Sequence, residues 1–210
     1  MIIAVDGPAA AGKGTLAKRL ATHFDFALLD TGRLYRAVGH LVVDAGGNPA
    51  KKDDALRAAQ LLNPGQIKSD DLYTEIVADA ASQVAAIPAV RQVLLDFQRD
   101  FARTPPGGKA GAVLDGRDIG TVVCPNANIK LFITARPEIR AKRRHKELQE
   151  KGLESKYPAV LAEIEARDER DRTREVSPLK AGDAWKIDTS DKTPDTVFEM
   201  VRTYIEDRSS

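Results

Sequence analysis

Gly7-Pro8-Ala9-Ala10-Ala11-Gly12-Lys13-Gly14-Thr15 follows the apolar run Ile2-Ile3-Ala4-Val5 and precedes the helix-like stretch Leu16-Ala17-Lys18-Arg19-Leu20. The order is buried strand, glycine loop, helix start, and it decides the fold. Gly7 and Gly12 let the backbone turn its N–H groups inward. The following helix adds the positive end of its dipole, which completes a cradle for phosphate. Lys13 is placed to reach the β- and γ-phosphates of a nucleoside triphosphate, with Gly7, Pro8, Ala9, Ala10, Ala11, Gly12, Gly14 and Thr15 as the rest of the binding loop. The pattern is G-x-x-x-x-G-K, but Gly14 stands where a hydroxyl would ordinarily ligate Mg²⁺, and the hydroxyl is displaced to Thr15. A chance glycine-rich turn is the plainer reading. The strand–loop–helix context weighs against it.

Composition bounds what surrounds the loop. A length of 210 residues fits one domain with small insertions, and 42% hydrophobic residues suffice for a sizeable core. A net charge of +1 provides no field that would favour nucleic acid or an anionic membrane, so neither partner is expected. The single cysteine, Cys124, cannot form an intrachain disulfide. With no basic-then-apolar leader and no apolar run of membrane-spanning length, a cytoplasmic protein is expected. His23, His40 and His145 are scattered without ligand-like spacing. No heptad pattern or long apolar surface stripe is evident, so a monomer is expected.

Short apolar runs recur at Ile2–Asp6, Phe26–Asp30, Ala112–Asp115, Ile129–Thr134 and Trp185–Asp188, as buried parallel strands should. Helical patterns lie near 13–24, 32–44, 53–62, 74–87, 89–103, 136–151, 158–174 and 194–207. Pro88 opens the fifth as a first-turn proline, and its face Val90, Val93, Leu94, Phe97 and Phe101 follows the 3.6 period. This alternation predicts an α/β fold: a five-stranded parallel sheet with helices on both faces, of the P-loop NTPase type. Two regions break the rhythm. Residues 45–88 hold two helical stretches joined through Asn63-Pro64-Gly65, and 136–174 are dense in both charge signs with a break at Gly152. In a phosphotransfer enzyme these would be a helical substrate-side insertion and a short lid with its following helix. The core would be residues 1–44, 89–135 and 175–210 of a single domain spanning 1–210. Solvated surface helices are the plainer alternative, so particular residues must decide.

Three clusters supply them. Along the helix near 158–174, Val160, Ile164, Arg167, Asp171 and Arg174 share one stripe. A face that stays inward while turning cationic should border a polar cavity, where guanidinium forks can bind phosphate bidentately. An exposed helix end with i,i+4 pairs is the alternative. Asp115-Gly116-Arg117-Asp118 directly follows a strand, at the end where open α/β sheets bind ligands. Asp115 there could hold Mg²⁺ through water. Asp30-Thr31-Gly32-Arg33-Leu34-Tyr35-Arg36 also follows a strand; Thr31 reads as a helix N-cap, and Arg36 as an anion contact or a solvated side chain.

Taken together, the chain resembles the bacterial cytidylate kinases of the nucleoside monophosphate kinase group. The resemblance runs through Asp6-Gly7-Pro8, Gly12-Lys13-Gly14-Thr15, Leu29-Asp30-Thr31-Gly32, Tyr35-Arg36, Ala81-Ser82-Gln83-Val84-Ala85-Ala86, Asp115-Gly116-Arg117-Asp118 and Arg167-Asp168-Glu169-Arg170-Asp171-Arg172. The phosphate loop is shared with many kinases, whereas the Ala-Ser-Gln-Val-Ala-Ala and Asp-Gly-Arg-Asp stretches are more particular. The resemblance implies transfer of the γ-phosphoryl of ATP to CMP or dCMP, with Mg²⁺. Thr31, Tyr35, Arg36, Arg117 and Arg174 would hold the monophosphate and sugar, Arg167 and Asp171 the ribose, and Ser82, Arg91 and Asp118 the cytosine. Arg143 and Arg144 fall in the lid region, where this group supplies arginines to the transferred phosphoryl. The implied catalytic set is Lys13, Arg117, Arg174 and Arg143. Thr15 and Asp115 are the candidate metal contacts, expected through water.

The residues suit that chemistry. A phosphate oxygen is already a nucleophile at neutral pH, so positioning and charge neutralisation matter more than a strong base. Many bacterial relatives carry a small β-sheet insertion on the CMP side. Here only Asn63 to Asp71 stands in that region, without alternating strands, so the insertion looks truncated and weaker closure over CMP is expected. Other acceptors (UMP, AMP or shikimate) remain the nearest alternatives. A nucleotide-hydrolysing switch is a more distant one, since no Asn-Lys-x-Asp motif is present. A pure binding module is disfavoured by the arginines expected around one cleft.

Overall fold

The computed structural model describes residues 1–62, 72, 74–150 and 152–209. β1 (Ile2–Asp6) runs into the glycine loop and α1 (Lys13–His23). There follow β2 (Ala27–Asp30), α2 (Thr31–Asp44), α3 (Lys52–Gln60), α4 (Glu75–Val84), α5 (Pro88–Arg103) and β3 (Ala112–Asp115). β4 (Ile129–Thr134), α6 (Pro137–Glu150), α7 (Tyr157–Thr173), β5 (Trp185–Asp188) and α8 (Pro194–Ser209) complete the order. The Asn63-Pro64-Gly65 joint and the expected insertion remnant Asn63 to Asp71 lie outside the described residues.

The strands form one parallel sheet in the order β2-β3-β1-β4-β5. Alternate residues along each strand point to opposite faces, so one short apolar run feeds two cores. Ile3, Val5, Val113, Leu131 and Ile133 pack beneath α1 and α8 with Leu16, Leu20, Val201 and Ile205. Ala4, Ala112 and Leu114 face the other way, against Ala102 and Phe101 of α5. Each fully buried Ile, Leu or Val is worth roughly 1.5–3 kcal/mol, so these two faces outweigh the exposed ion pairs in holding the fold. Two smaller clusters lie outside the sheet. Leu34, Val38 and Val42 of α2 meet Ala55, Ala59, Val84 and Leu94, while Ala141 and Leu148 of α6 meet Val160 and Ile164 of α7.

The register brings acidic residues to one edge. Asp115 lies opposite Val5 on one side and Asp30 on the other, and Asp6 ends the central strand. This carboxyl edge is where a doubly wound sheet receives its ligands.

Three local readings change, and one element is new. Phe26 N–H still bonds back to Ala21 O of α1 (2.9 Å), so β2 begins one residue later, at Ala27. Thr31 is not the N-cap of α2. Asp30 occupies that position, and the Thr31 hydroxyl instead donates to Asp115 O at 2.8 Å, tying α2 to β3. Ile119–Val123 forms a single π-helical turn that nothing in the hydrophobic pattern announces. In β5 only Ile187 is buried, because this strand is a sheet edge; Trp185 there stacks on Tyr204 of α8 at 4.3 Å between centroids. Among the described residues, no helix is long and apolar enough to cross a membrane.

Candidate active site

The glycine loop is shaped by close approach. Gly7 has φ +141, and a Cβ there would sit 1.9 Å from Ile133 O, so no other residue fits without moving β4. Gly12 stands at the N-cap of α1 and has no side chain to cap the first-turn N–H groups, which are left to a ligand. Lys13 is buried at the start of this helix. Its Nζ donates to Pro8 O (2.8 Å) and lies 3.9 Å from Asp115 Oδ1. Burial and the Arg117 guanidinium lower the Lys13 pKa to about 8, against the pull of Asp115. Burial likewise raises Asp115 to about 6, with Lys13 opposing and Asp30 reinforcing. The mouth of the loop therefore holds a carboxylate and an ammonium whose charges are incompletely compensated, a frequent mark of a functional site.

A cavity of about 440 Å³ opens here, bordered by Lys13, Thr15, Asp30, Asp115, Arg143 and Arg144. Asp30 is a site residue that no sequence motif assigns. Its place at a strand end, one strand from Asp115, is the signal that marks it. Arg143 reaches the cavity from α6 while donating to Thr189 Oγ1 (3.0 Å) and Thr189 O (2.6 Å). Thr189, which sequence reasoning missed, passes the connection on by donating to Ala11 O at 2.9 Å.

The residues expected to hold the acceptor converge on a second, smaller cavity of about 50 Å³. α2 supplies Thr31 and Tyr35, α4 Ser82, α5 Arg91, the segment after β3 Arg117 and Asp118, and the end of α7 Arg167, Asp171 and Arg174. Arg91 is 6% exposed, so its guanidinium does not snorkel to solvent; it contacts Asp118 Oδ2 at 2.5 Å and Ala85 O at 3.1 Å. The Tyr35 ring lies 5.4 Å beneath it. Asp171 accepts from Arg117 Nε at 3.0 Å and lies 3.6 Å from Arg174 Nη1. Burial pushes the Asp171 carboxyl up, but Arg117, Arg167 and Arg174 together hold it below the ordinary carboxylate range. Arg167 is lowered to about 10 by burial and by Arg117.

The cationic stripe of α7 is thus an inward face. Ser82 Oγ, Arg91 Nε, Arg167 Nε and Arg174 Nη2 are buried without a hydrogen-bond partner among the described residues. Buried polar atoms left in this state cost stability and point to a ligand that would satisfy them. Arg36 lies slightly apart: it lines the 440 Å³ cavity and donates to Leu72 O at 2.9 Å. Arg170 of α7 pairs instead with Asp79 of α4 at 2.9 Å.

Two concavities therefore share Arg117 and Arg167, one fed by the glycine loop and the other ending in Asp118, Arg91 and Ser82. A family model described as cytidylate kinase matches residues 3–207. The chain belongs to the cytidylate kinase family. A cytidylate kinase of Paramagnetospirillum magneticum is 61% identical over 94% of this chain and 93% of its own length. One of Granulibacter bethesdensis is 56% identical over 98% of this chain and 96% of its own. Among solved structures, an uncharacterized protein from Eubacterium ventriosum superposes with a TM-score of 0.57 at 16% identity, over 99% of this chain and 98% of that one. That likeness is one of fold. Membership in the cytidylate kinase family accounts for the chain as a whole, and the geometry above locates its two concavities.

Proposed function

We propose that the protein transfers the γ-phosphoryl group of ATP to CMP or dCMP, giving ADP and CDP or dCDP. The observation that carries this reading is the set of orphaned polar atoms on Ser82, Arg91, Arg167 and Arg174, gathered beside a phosphate loop. The loop from Gly7 to Thr15 binds the triphosphate through its N–H groups, and Lys13 moves from Pro8 O onto phosphate oxygen. Arg117 and Arg174 hold the acceptor phosphate in line, with Arg36 and Arg143 neutralising charge from the α2 and α6 sides. These fixed cations act on the equatorial oxygens where transition-state charge spreads. Arg167 and Asp171 contact the sugar, while Thr31 and Tyr35 wall the acceptor.

Asp118 reads the base. Cytosine presents an amine donor where uracil presents a carbonyl acceptor, so a buried carboxylate gains a hydrogen bond from one and repulsion from the other. Arg91 fixes that carboxylate, and the unpartnered Ser82 hydroxyl offers the base a further contact. Asp115, Asp30 and the Thr15 hydroxyl form a hard-oxygen set suited to Mg²⁺ held through water. A buried Asp115 raised to about 6 is short of positive charge, which supports that assignment. These residues would hold Mg²⁺, which when bound would supply neutralisation of phosphate charge. α6 and α7 form the lid and its support, and the 45–88 region is the CMP-side insertion. The buried, unpaired Cys124 suits a reducing cytoplasm. Exposed apolar side chains such as Leu61, Ile76, Leu153 and Met200 lie on separate elements, which supports a monomer.

The decisive assay is ADP formation from ATP and Mg²⁺ with CMP, dCMP, UMP, AMP and shikimate offered separately. Strong turnover confined to CMP and dCMP is expected. Dominant turnover with another acceptor, or acceptor-independent hydrolysis, would reject the reading.

A further inference from the structure

Asp118 stands at the N-cap of the π-helical turn Ile119–Val123. One turn of helix is poorly stabilised by its own bonds, which here are Val122 N–H and Val123 N–H to Asp118 O and Cys124 N–H to Ile119 O. Its first amides and last carbonyls need outside partners. Both ends receive charged ones from distant parts of the chain. Asp6, 3% exposed at the end of β1, accepts Ile119 N–H at 2.8 Å and Gly120 N–H at 2.7 Å, one on each carboxylate oxygen. Arg99 of α5 donates Nε to Val123 O (3.2 Å) and Nη2 to Val122 O (3.1 Å). A carboxylate at the amino end and a guanidinium at the carboxyl end complement the dipole of the turn.

The clamp has a reason beyond stability. Asp6 adjoins Gly7 of the phosphate loop, and Arg99 follows two helical turns after Arg91, which grips Asp118 directly. Both ends of the clamp are thus anchored in the elements that carry the nucleotide contacts. Keeping a carboxylate at Asp6 is unfavourable in itself: burial raises its pKa to about 6 despite the two amide bonds, with Asp118 and Asp115 adding to the rise. We infer that Asp6 and Arg99 are positioning residues for base selection: by fixing the turn they set the aim of the Asp118 carboxylate, and with it the preference for cytosine over uracil. The inference rests on Asp118 being the base reader. Neither residue lines either concavity. Hydrogen bonds weaken steeply when misaligned, so a loosened turn loses discrimination before it loses catalysis.

The test uses Arg99→Met, which keeps much of the aliphatic stem of a half-buried side chain, together with Arg99→Lys, Asp6→Asn and Asp118→Ala. kcat/KM is measured for CMP and UMP, along with KM for ATP. Arg99→Met should cut the CMP-over-UMP ratio by roughly 3- to 10-fold, the scale of one or two ordinary hydrogen bonds, with KM for ATP held within about twofold. Arg99→Lys, able to serve one carbonyl, should restore part of the ratio. Asp6→Asn replaces one acceptor with a donor and should lower the ratio further; should it fail to fold, the Arg99 pair decides. An unchanged ratio in Arg99→Met, while Asp118→Ala abolishes the preference, overturns the inference alone. An unchanged ratio in Asp118→Ala overturns the base-reading assignment, and the inference with it.

Discussion

Arg140 of α6 and Asp168 of α7 meet fork to fork in the interior, Nη1 to Oδ1 at 3.0 Å and Nη2 to Oδ2 at 2.5 Å. Arg140 is 2% exposed and also donates Nε to Ala135 O at 2.8 Å, just past the end of β4, and Nη1 to Ala9 O at 3.3 Å in the phosphate loop. One guanidinium thus joins the sheet, the loop and both helices of the candidate lid. Removing one partner of such a pair strands the other charge away from water. Asp168→Ala should therefore cost about 3–5 kcal/mol in urea unfolding. The double replacement Arg140→Met with Asp168→Leu should recover much of that loss. Additive losses in the double variant would show that the two side chains do not act as a pair.

Neither residue was legible as a site. Their pairing joins residues 28 apart on two helices and leaves no periodic trace, whereas the central strands are readable because an apolar run there has to fill both sheet faces. The α7 stripe was readable for the same reason: Val160 and Ile164 fix its inward face, and Arg167, Asp171 and Arg174 inherit the direction. The π-helical turn leaves no such signal in the sequence. Ile119-Gly120-Thr121-Val122-Val123 is rich in β-branched residues, and its helical form depends on Asp6 and Arg99, which no local pattern can announce. Thr31 was misread as a cap because capping is a local rule, while its hydroxyl answers to a carbonyl 84 residues away.

Lys13, as the proposed phosphate contact, should set an alkaline limit on activity. With its pKa lowered to about 8 by burial and by Arg117, it is charged below that pH and loses its charge above it. Phosphate monoesters complete their ionisation near pH ~6, so above about pH 7.5 the titration belongs to the enzyme rather than to CMP. kcat/KM should fall above about pH 8, and Lys13→Arg should abolish that limb while slowing turnover by about 100-fold. Stability runs the opposite way. From pH 8 to 10.5 the unfolded chain holds the Lys13 proton and the folded chain does not, so this group favours folding as pH rises. A pH profile that stays flat to about pH 9.5 would remove Lys13 from that role.

Ala10 carries strain in the phosphate loop. Its φ of 57 is left-handed, a conformation that disfavours a Cβ by roughly 1–2 kcal/mol. Ala10→Gly should raise stability by about 0.5–1 kcal/mol after the extra freedom of glycine in the unfolded chain is subtracted. Ala11→Gly, at a buried position with ordinary φ, should do the reverse. Thermal melts of the two variants should move in opposite directions, and a shared direction would assign the effect to the loop as a whole.

Gly39 is where packing between α2 and α4 should bear on affinity for the proposed acceptor. It lies one helical turn after Tyr35 and Arg36 on α2, and a Cβ there would meet Ala81 N at 2.8 Å and Ala80 C at 3.0 Å on α4, beside Ser82. Backbone on both helices leaves no flexible side chain to yield, so Gly39→Ala must separate α2 from α4. Such overpacking costs about 1–3 kcal/mol. It also draws the Ser82 hydroxyl away from the pocket shared with Tyr35 and Arg91. KM for CMP should rise roughly 3- to 10-fold, the scale of one hydrogen bond, while KM for ATP stays near its original value because the glycine loop packs on the other helices. Equal increases for both nucleotides would mean that the helix pair supports the whole domain. A lower melting temperature with an unchanged KM for CMP would free the Ser82 position from any dependence on this contact.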